Sequence, residues 1–108
     1  MGTIYALRTY NSPDDPLAFD TVTAWDGRRF LEARARRGQV FGEPVSLVDS
    51  AGRSWIAHLG YDADGDETFL DIRDPNELRL IGRAWFGFRL PLGFHGHFVP
   101  VSSRPQTN

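Results

Sequence analysis

Three histidines are the side chains in this sequence best suited to bind a metal ion or move a proton. His95 and His97 are one residue apart, so on a β-strand both imidazole rings point to the same face. Such a pair fits two positions of a transition-metal site. Val99 and Val101 continue that face and supply no third ligand. His58 completes the set only if its strand lies beside the last one, so we predict surface or hydrogen-bonded histidines and no metal site.

An acidic loop, Asp62-Ala-Asp-Gly-Asp-Glu67, resembles a calcium loop at first glance. The EF-hand pattern needs glycine at position 6 and glutamate at position 12. Counted from Asp62, those positions hold Glu67 and Arg73. The Asp-Gly pair is instead typical of a hairpin turn. We therefore predict a solvated acidic turn without calcium, whose Asp62, Asp64 and Asp66 are available to a basic partner.

Residues 77–90 alternate in a way that predicts one long β-strand. The even positions are apolar or small: Leu78, Leu80, Gly82, Ala84, Phe86, Phe88 and Leu90. The odd positions include Arg79, Arg83, Trp85 and Arg89. Period-2 alternation predicts that the even face is buried, with Leu80, Ala84, Phe86 and Phe88 in the core, and that the odd face meets solvent.

The odd face of this strand has two interpretations. Arginine and tryptophan dominate the hot spots of protein interfaces, and arginine also clamps carboxylates or phosphates. In the alternative, Arg83 or Arg89 stacks on Trp85 and merely covers an exposed sheet. The first interpretation makes Arg79, Arg83, Trp85 and Arg89 candidate partner-binding residues, together with the three aspartates of the acidic turn.

The composition excludes several classes of enzyme. The chain has 108 residues, 41% of them hydrophobic and 24% charged, which is typical of one globular domain. Cysteine and lysine are absent, which excludes disulfides, thiolate metal sites, cysteine nucleophiles, Schiff-base lysines and phosphate-loop lysines. No glycine-rich phosphate loop or hydrolase motif occurs, so we predict no catalytic residues and no cofactor. The lack of cysteine and of a signal peptide favours the cytoplasm.

Charge is distributed in blocks along the chain. The net charge is only −2, but residues 28–37 carry five arginines against one glutamate, a balance of +4. Residues 62–77 carry seven acids against one arginine, a balance of −6, and residues 78–108 carry four arginines and no acid. An acidic block beside basic ones argues against nucleic acid as the partner and favours a protein. No apolar run approaches the ~20 residues of a membrane span.

Turn-forming residues divide the chain into strands and one predicted helix. Residues 28–37 favour a helix because alanine, leucine, arginine and glutamate are good helix formers and Gly38 suits a helix end. Strands are predicted over residues 3–10, 45–49, 54–61, 68–73, 77–90 and 94–101, and residues 17–25 are left open between strand and short helix. The predicted fold class is α+β: an antiparallel meander of about six to seven strands with one helix packed against it. Residues 1–101 form a single domain, and residues 102–108 a flexible tail.

Part of the chain resembles a known family. The run Val22–Ala35 leads from a strand end into the predicted helix, and it is followed by Pro44–Trp55, Leu59–Asp62 and Thr68–Ile72. In the spacing and the types of their residues, residues 20–75 resemble small α+β immunity proteins of actinobacterial polymorphic-toxin systems. The resemblance implies an α+β fold and a non-catalytic protein that acts by occluding its target.

Two functional hypotheses follow from the sequence. The first is a non-catalytic protein-binding domain, an immunity protein or inhibitor that occludes a toxin or enzyme. The second is a small enzyme or a small-molecule-binding, barrel-like domain with an aromatic pocket and His58, His95 and His97. A concave aromatic pocket that holds a histidine and an acid favours the second hypothesis. A packed interior beside a charged face favours the first.

Overall fold

A computed structural model describes residues 2–8 and 19–90, which form eight β-strands. The strands are β1 (Ile4–Arg8), β2 (Thr21–Trp25), β3 (Phe30–Arg34), β4 (Gln39–Phe41), β5 (Val45–Val48), β6 (Ser54–Asp62), β7 (Glu67–Arg73) and β8 (Leu80–Trp85). All pairings between them are antiparallel. Within the segment 17–25, which the sequence left open, residues 21–25 are therefore a strand, β2, and the fold class of the described residues is all-β.

The strands form two sheets. β1, β2 and β3 form a three-stranded sheet with β2 in the centre. The second sheet has the order β4-β6-β7-β8, and β5 pairs with the first half of β6 on the same side as β4. The acidic turn joins β6 to β7, so the predicted hairpin at Asp64-Gly65 is confirmed.

The core lies between one face of each sheet. Its buried members are Val22, Ala24, Ala35, Phe41, Ile56, Phe69 and Leu78, with Tyr5, Leu7, Leu31 and Ala33 packed against them. Position 60 of β6 requires glycine because the main chain there lies against the ring of Phe69. A Cβ atom at this position would lie 2.1 Å from the nearest ring atom. The absence of a side chain lets the aromatic ring fill the space between the sheets.

The predicted helix over residues 28–37 is wrong, and with it the α+β fold class. Residues 30–34 are β3, whose side chains alternate between exposed and half-buried and pair with β2. Asp26 and Gly27 form the turn that joins β2 to β3. The Asp26 carboxylate accepts the N–H groups of Arg28 and Arg29 in this turn, where Gly27 has a φ of 94°. Pairing with β2 therefore overrides the helix propensity.

The long predicted strand is shorter than expected, and its buried face is the opposite one. It spans only Leu80–Trp85, and Gly87 then turns the chain with a φ of 79°. Leu80, Ala84 and Phe88 are exposed and Phe86 is half-buried, so their predicted burial is wrong. The face of Arg83 and Trp85 is the one that continues the inner face of the sheet, because these residues lie opposite Asp71 and Phe69.

No helix that could span a membrane occurs among the residues that the structure describes. The strand expected over residues 94–101 and the tail over residues 102–108 lie outside the described residues.

Candidate functional site

A cluster of charged side chains is buried on the inner face of the larger sheet. The Asp71 carboxylate is fully buried, and it accepts hydrogen bonds from Nε and Nη2 of Arg83 at 2.6 and 2.9 Å. This is a two-pronged pairing of the strongest kind found between side chains. Arg73 Nη2 lies 3.5 Å from the same carboxylate. The single carboxylate of Asp71 therefore pairs with two guanidinium groups.

Sheet register brings this cluster together. His58 on β6, Asp71 on β7 and Arg83 on β8 are direct cross-strand neighbours, and their side chains share one face. Below Arg83, the ring of Phe69 lies 3.8 Å from the guanidinium carbon, a cation–π contact. Arg83 is thus fixed by a carboxylate and by an aromatic ring.

His58 is held as a neutral imidazole. Its Nδ1 lies 3.1 Å from the Leu59 carbonyl oxygen, which can only accept, while Nε2 lies 2.9 Å from Arg73 Nε, which can only donate. Burial is the main reason that the pKa of His58 falls to about 4, and the adjacent Arg73 lowers it further. Because both ring nitrogens are engaged and the ring is buried, His58 has no free nitrogen for a substrate or a metal.

Arg73 connects the cluster to the β7–β8 turn. Its Nη1 donates to the carbonyl oxygen of Leu78 at 2.9 Å. Leu78 is buried in the core with a φ of 57°, a conformation that non-glycine residues rarely adopt. Burial lowers the pKa of the Arg73 guanidinium, and Asp71 opposes that shift. The cluster therefore fixes both the start and the middle of β8.

A polar cavity of about 300 Å³ lies beside the cluster, at the end of the sheet where β6 turns into β7. It is lined by Arg36, Arg37, Gln39, Asp62, Asp64, Arg83 and Trp85. Gln39 bridges its two sides, since it accepts from Arg83 Nη1 at 3.3 Å and donates to Asp62 at 3.4 Å. The Trp85 side chain is half-exposed and contacts Phe69 at a centroid distance of 5.3 Å. The cavity thus combines arginine, acid and an aromatic anchor.

The structure brings most of the predicted partner-binding residues to one end of the sheet. Arg83, Trp85, Asp62 and Asp64 line the same cavity. Asp66 lies on the same turn as Asp64, and it pairs at 3.5 Å with Arg89, which follows β8. Arg79 precedes β8, at the other end of that strand, and does not line the cavity.

Several residues of this site were not predicted. Asp71 and Arg73 were counted only as part of the acidic block, and Gln39 lies on a strand that was not predicted at all. A signal for the first two was present, because Phe69, Asp71 and Arg73 share one period-2 face of a strand. Two charges on the same face as an apolar core residue indicate a buried ion pair. Arg36 and Arg37 were assigned to the helix that does not form.

A second cavity lies away from this cluster and has a different chemistry. It has a volume of about 510 Å³ and is lined by Thr3, Tyr5, Ser46, Leu47, Val48, Ser54, Ile56 and Pro75. No histidine, arginine or carboxylate lines it. It therefore lacks the combination of histidine and acid that the enzyme hypothesis requires.

Within residues 2–8 and 19–90, no three histidines and carboxylates come together in a way that could hold a metal ion. His95 and His97 lie outside the described residues, as do Val99 and Val101. The acidic turn is held by its own hydrogen bonds: Asp62 accepts the Gly65 N–H at 2.9 Å, and Asp66 accepts the Tyr61 hydroxyl at 2.5 Å. That second hydrogen bond raises the pKa of Tyr61.

Comparison with known proteins adds no assignment: no family model, no curated protein and no solved structure matches this chain.

Proposed function

We propose that this protein is a non-catalytic binding domain whose partner is another protein and docks on the face formed by Arg83 and Trp85. The observation that carries the proposal is the half-exposed indole of Trp85, seated on Phe69 beside an arginine that Asp71 holds in place. Tryptophan and arginine contribute most binding energy when they are rigid before the partner arrives.

The supporting contacts explain why this face is rigid. The guanidinium carbon of Arg83 lies 5.6 Å from the Trp85 ring and 3.8 Å from the Phe69 ring. An arginine free in solution has about 2 kcal/mol of side-chain entropy to lose on binding. Arg83 has already lost most of it to the Asp71 pairing. A partner that contacts this face therefore meets a preorganised surface.

The kind of partner we propose is a toxin or an enzyme that the domain occludes, as an immunity protein or inhibitor does. Occlusion needs a rigid exposed face and no reactive group, which agrees with the engaged nitrogens of His58. The absence of cysteine fits a cytoplasmic setting. The support lies in the face itself, because the helix on which the family resemblance partly depended is a strand.

The competing hypothesis is an enzyme or small-molecule-binding domain that uses His58, His95 and His97. We do not favour it, because His58 is buried with both nitrogens engaged and the larger cavity holds no ionisable pair. A histidine that acts as a general base must reach the proton that it removes.

Affinity purification from the native host with mass spectrometry tests the proposal. The baits are the wild-type chain, Trp85→Ala and Trp25→Ala, which removes a comparably exposed indole from the other sheet. We expect one protein to be retained by the wild type and by Trp25→Ala and lost from Trp85→Ala. Equal retention by all three baits, or no retained protein at all, would contradict the proposal.

A further inference from the structure

The main-chain groups of β8 point alternately toward and away from β7. Phe86 N–H donates to the Thr68 carbonyl oxygen at 3.0 Å, which defines a hydrogen-bonded pair. Hydrogen-bonded and non-hydrogen-bonded pairs alternate along an antiparallel ladder. Ala84 and Gly82 therefore also direct their N–H and C=O groups toward β7. Arg83 and Trp85 direct theirs to the open side of the strand.

That open side has no partner strand among the residues that the structure describes. β8 pairs with β7 alone, at the end of the order β4-β6-β7-β8. Its side chains are accessible on both faces, with Ile81 and Trp85 each about 50% exposed and Ala84 exposed.

The edge has only part of the usual protection against pairing. Sheet edges are commonly blocked by proline, by lysine or by an unpaired inward charge. Leu80–Trp85 contains neither proline nor lysine, and its one charge, Arg83, is neutralised by Asp71. A register irregularity opposite Ile72 and Arg73, and the turn at Gly87, limit the regular part of the strand to a few residues.

The charges next to this edge favour an acidic segment. Arg36 and Arg37 are exposed, line the cavity and have no ion pair among the described residues. Arg73 and Arg83 share the Asp71 carboxylate and keep one positive charge between them. Four arginines therefore stand against three carboxylates in and beside the cavity: Arg36, Arg37, Arg73 and Arg83 against Asp62, Asp64 and Asp71. Asp62 already accepts hydrogen bonds from Gln39 and from the Gly65 N–H.

We propose that β8 recognises its partner by strand addition: an extended, acidic segment of the partner protein pairs with the open main-chain groups of Arg83 and Trp85. Its alternate side chains then lie over Trp85 and toward Arg36 and Arg37. The inference rests on the proposed function and specifies how that function is carried out. Main-chain pairing gives affinity in such complexes, and the flanking side chains give specificity.

Amide hydrogen exchange of the full-length chain tests the first half of this proposal. In the free protein we expect slow exchange at the amides of Gly82, Ala84 and Phe86 and fast exchange at those of Arg83 and Trp85. Slow exchange at all five amides would mean that another part of the chain or a second copy already covers the edge, and it would overturn strand addition.

A synthetic octapeptide that alternates valine and glutamate is the probe for the second half. We expect it to slow exchange at the Arg83 and Trp85 amides by about tenfold or more. The same peptide with N-methyl groups at alternate positions should have no effect, because it lacks the donors. A peptide that alternates valine and lysine should bind more weakly. No slowing with the glutamate peptide, or equal slowing with all three, would overturn the proposal.

Charge reversal checks the part played by the two free arginines. The double variant Arg36→Glu, Arg37→Glu should no longer bind the glutamate peptide and should bind the lysine peptide more tightly. Arg28→Glu, a distant exposed control, should leave the affinity for both peptides unchanged. The affinity purification described above is independent of these measurements. If the captured protein depends on Trp85 but leaves the Arg83 amide unprotected, strand addition is wrong and the protein-binding function stands.

Discussion

Asp71 is the acid whose loss should damage this fold most. Its buried carboxylate lies 2.6 Å from Arg83 Nε and 3.5 Å from Arg73 Nη2. Asp71→Asn keeps the shape of the side chain and removes its charge. The two arginines are then left close together in the interior with no acid to share.

The expected loss can be estimated from the charges. Asp71 with its two arginines carries a net charge of +1, and the asparagine variant raises this to +2. Breaking a buried ion pair by removing one member costs about 3–5 kcal/mol. A domain of this size has a free energy of unfolding of about 5–15 kcal/mol. A loss of about 3 kcal/mol corresponds to a fall in Tm of about 12 °C or more.

Two variants with smaller expected losses serve as comparisons for Asp71→Asn. Arg83→Met leaves Asp71 with Arg73 and a net charge of zero, so we expect it to cost less than Asp71→Asn. Glu77→Gln breaks an exposed pair with Arg29 at 3.2 Å and should cost about 0–1 kcal/mol. Urea unfolding gives the free energy of unfolding of each variant. The reasoning is refuted if Asp71→Asn is no more harmful than Glu77→Gln, or less harmful than Arg83→Met.

Three further outcomes are expected. Gly60→Ala places a methyl group against the buried ring of Phe69 and should cost about 1–3 kcal/mol, whereas Gly82→Ala meets open space and should change stability by less than about 0.5 kcal/mol, as urea unfolding would show. The pKa of His58 is about 4 in the folded chain and 6.5 when unfolded, so the unfolded chain binds the extra proton between these values. Its contribution to stability is complete above pH 6.5 and falls by up to about 3 kcal/mol as the pH drops toward 4, a dependence that His58→Gln should flatten in pH-dependent melting curves. A chelator should leave the Tm unchanged, and a fall of several degrees would reveal a metal.

The hairpin formed by β6 and β7 could be predicted because its signals are local. The strands alternate with period 2, and Asp64-Gly65 favours a tight turn between them. Both features lie within a few residues of each other, so no distant contact is needed to recognise them. The same locality explains why the acidic segment was correctly interpreted as a turn.

The region of β3 could not be predicted from local signals. Residues 30–34 contain good helix formers, yet the same residues also alternate with period 2 once Leu31 and Ala33 are placed on one face. What decides between the two is pairing with β2 across a turn that Gly27 and Asp26 form. Short segments of mixed pattern are settled by tertiary contacts and not by propensity.

The orientation of β8 depended on a contact between distant residues. Alternation divided its residues correctly into two sets, but the charged set was expected to face water. Arg83 faces inward because Asp71, on the neighbouring strand, neutralises it. The register between two strands cannot be determined from the sequence of one strand alone. A shift of one residue exchanges the two faces of the strand. Arg83 and Trp85 nevertheless line one cavity with Asp62 and Asp64, and their role in binding a partner stays a prediction.

The affinity of the captured partner for Trp85→Ala, measured by titration calorimetry beside the melting curve of the same variant, tests the central claim most directly. We expect binding to weaken by about 2 kcal/mol or more, roughly 30-fold, with little change in Tm, because a half-exposed indole leaves no closed cavity behind. Trp25→Ala should bind like the wild type. Unchanged affinity of Trp85→Ala, or a binding loss that merely follows a large fall in Tm, would contradict the account.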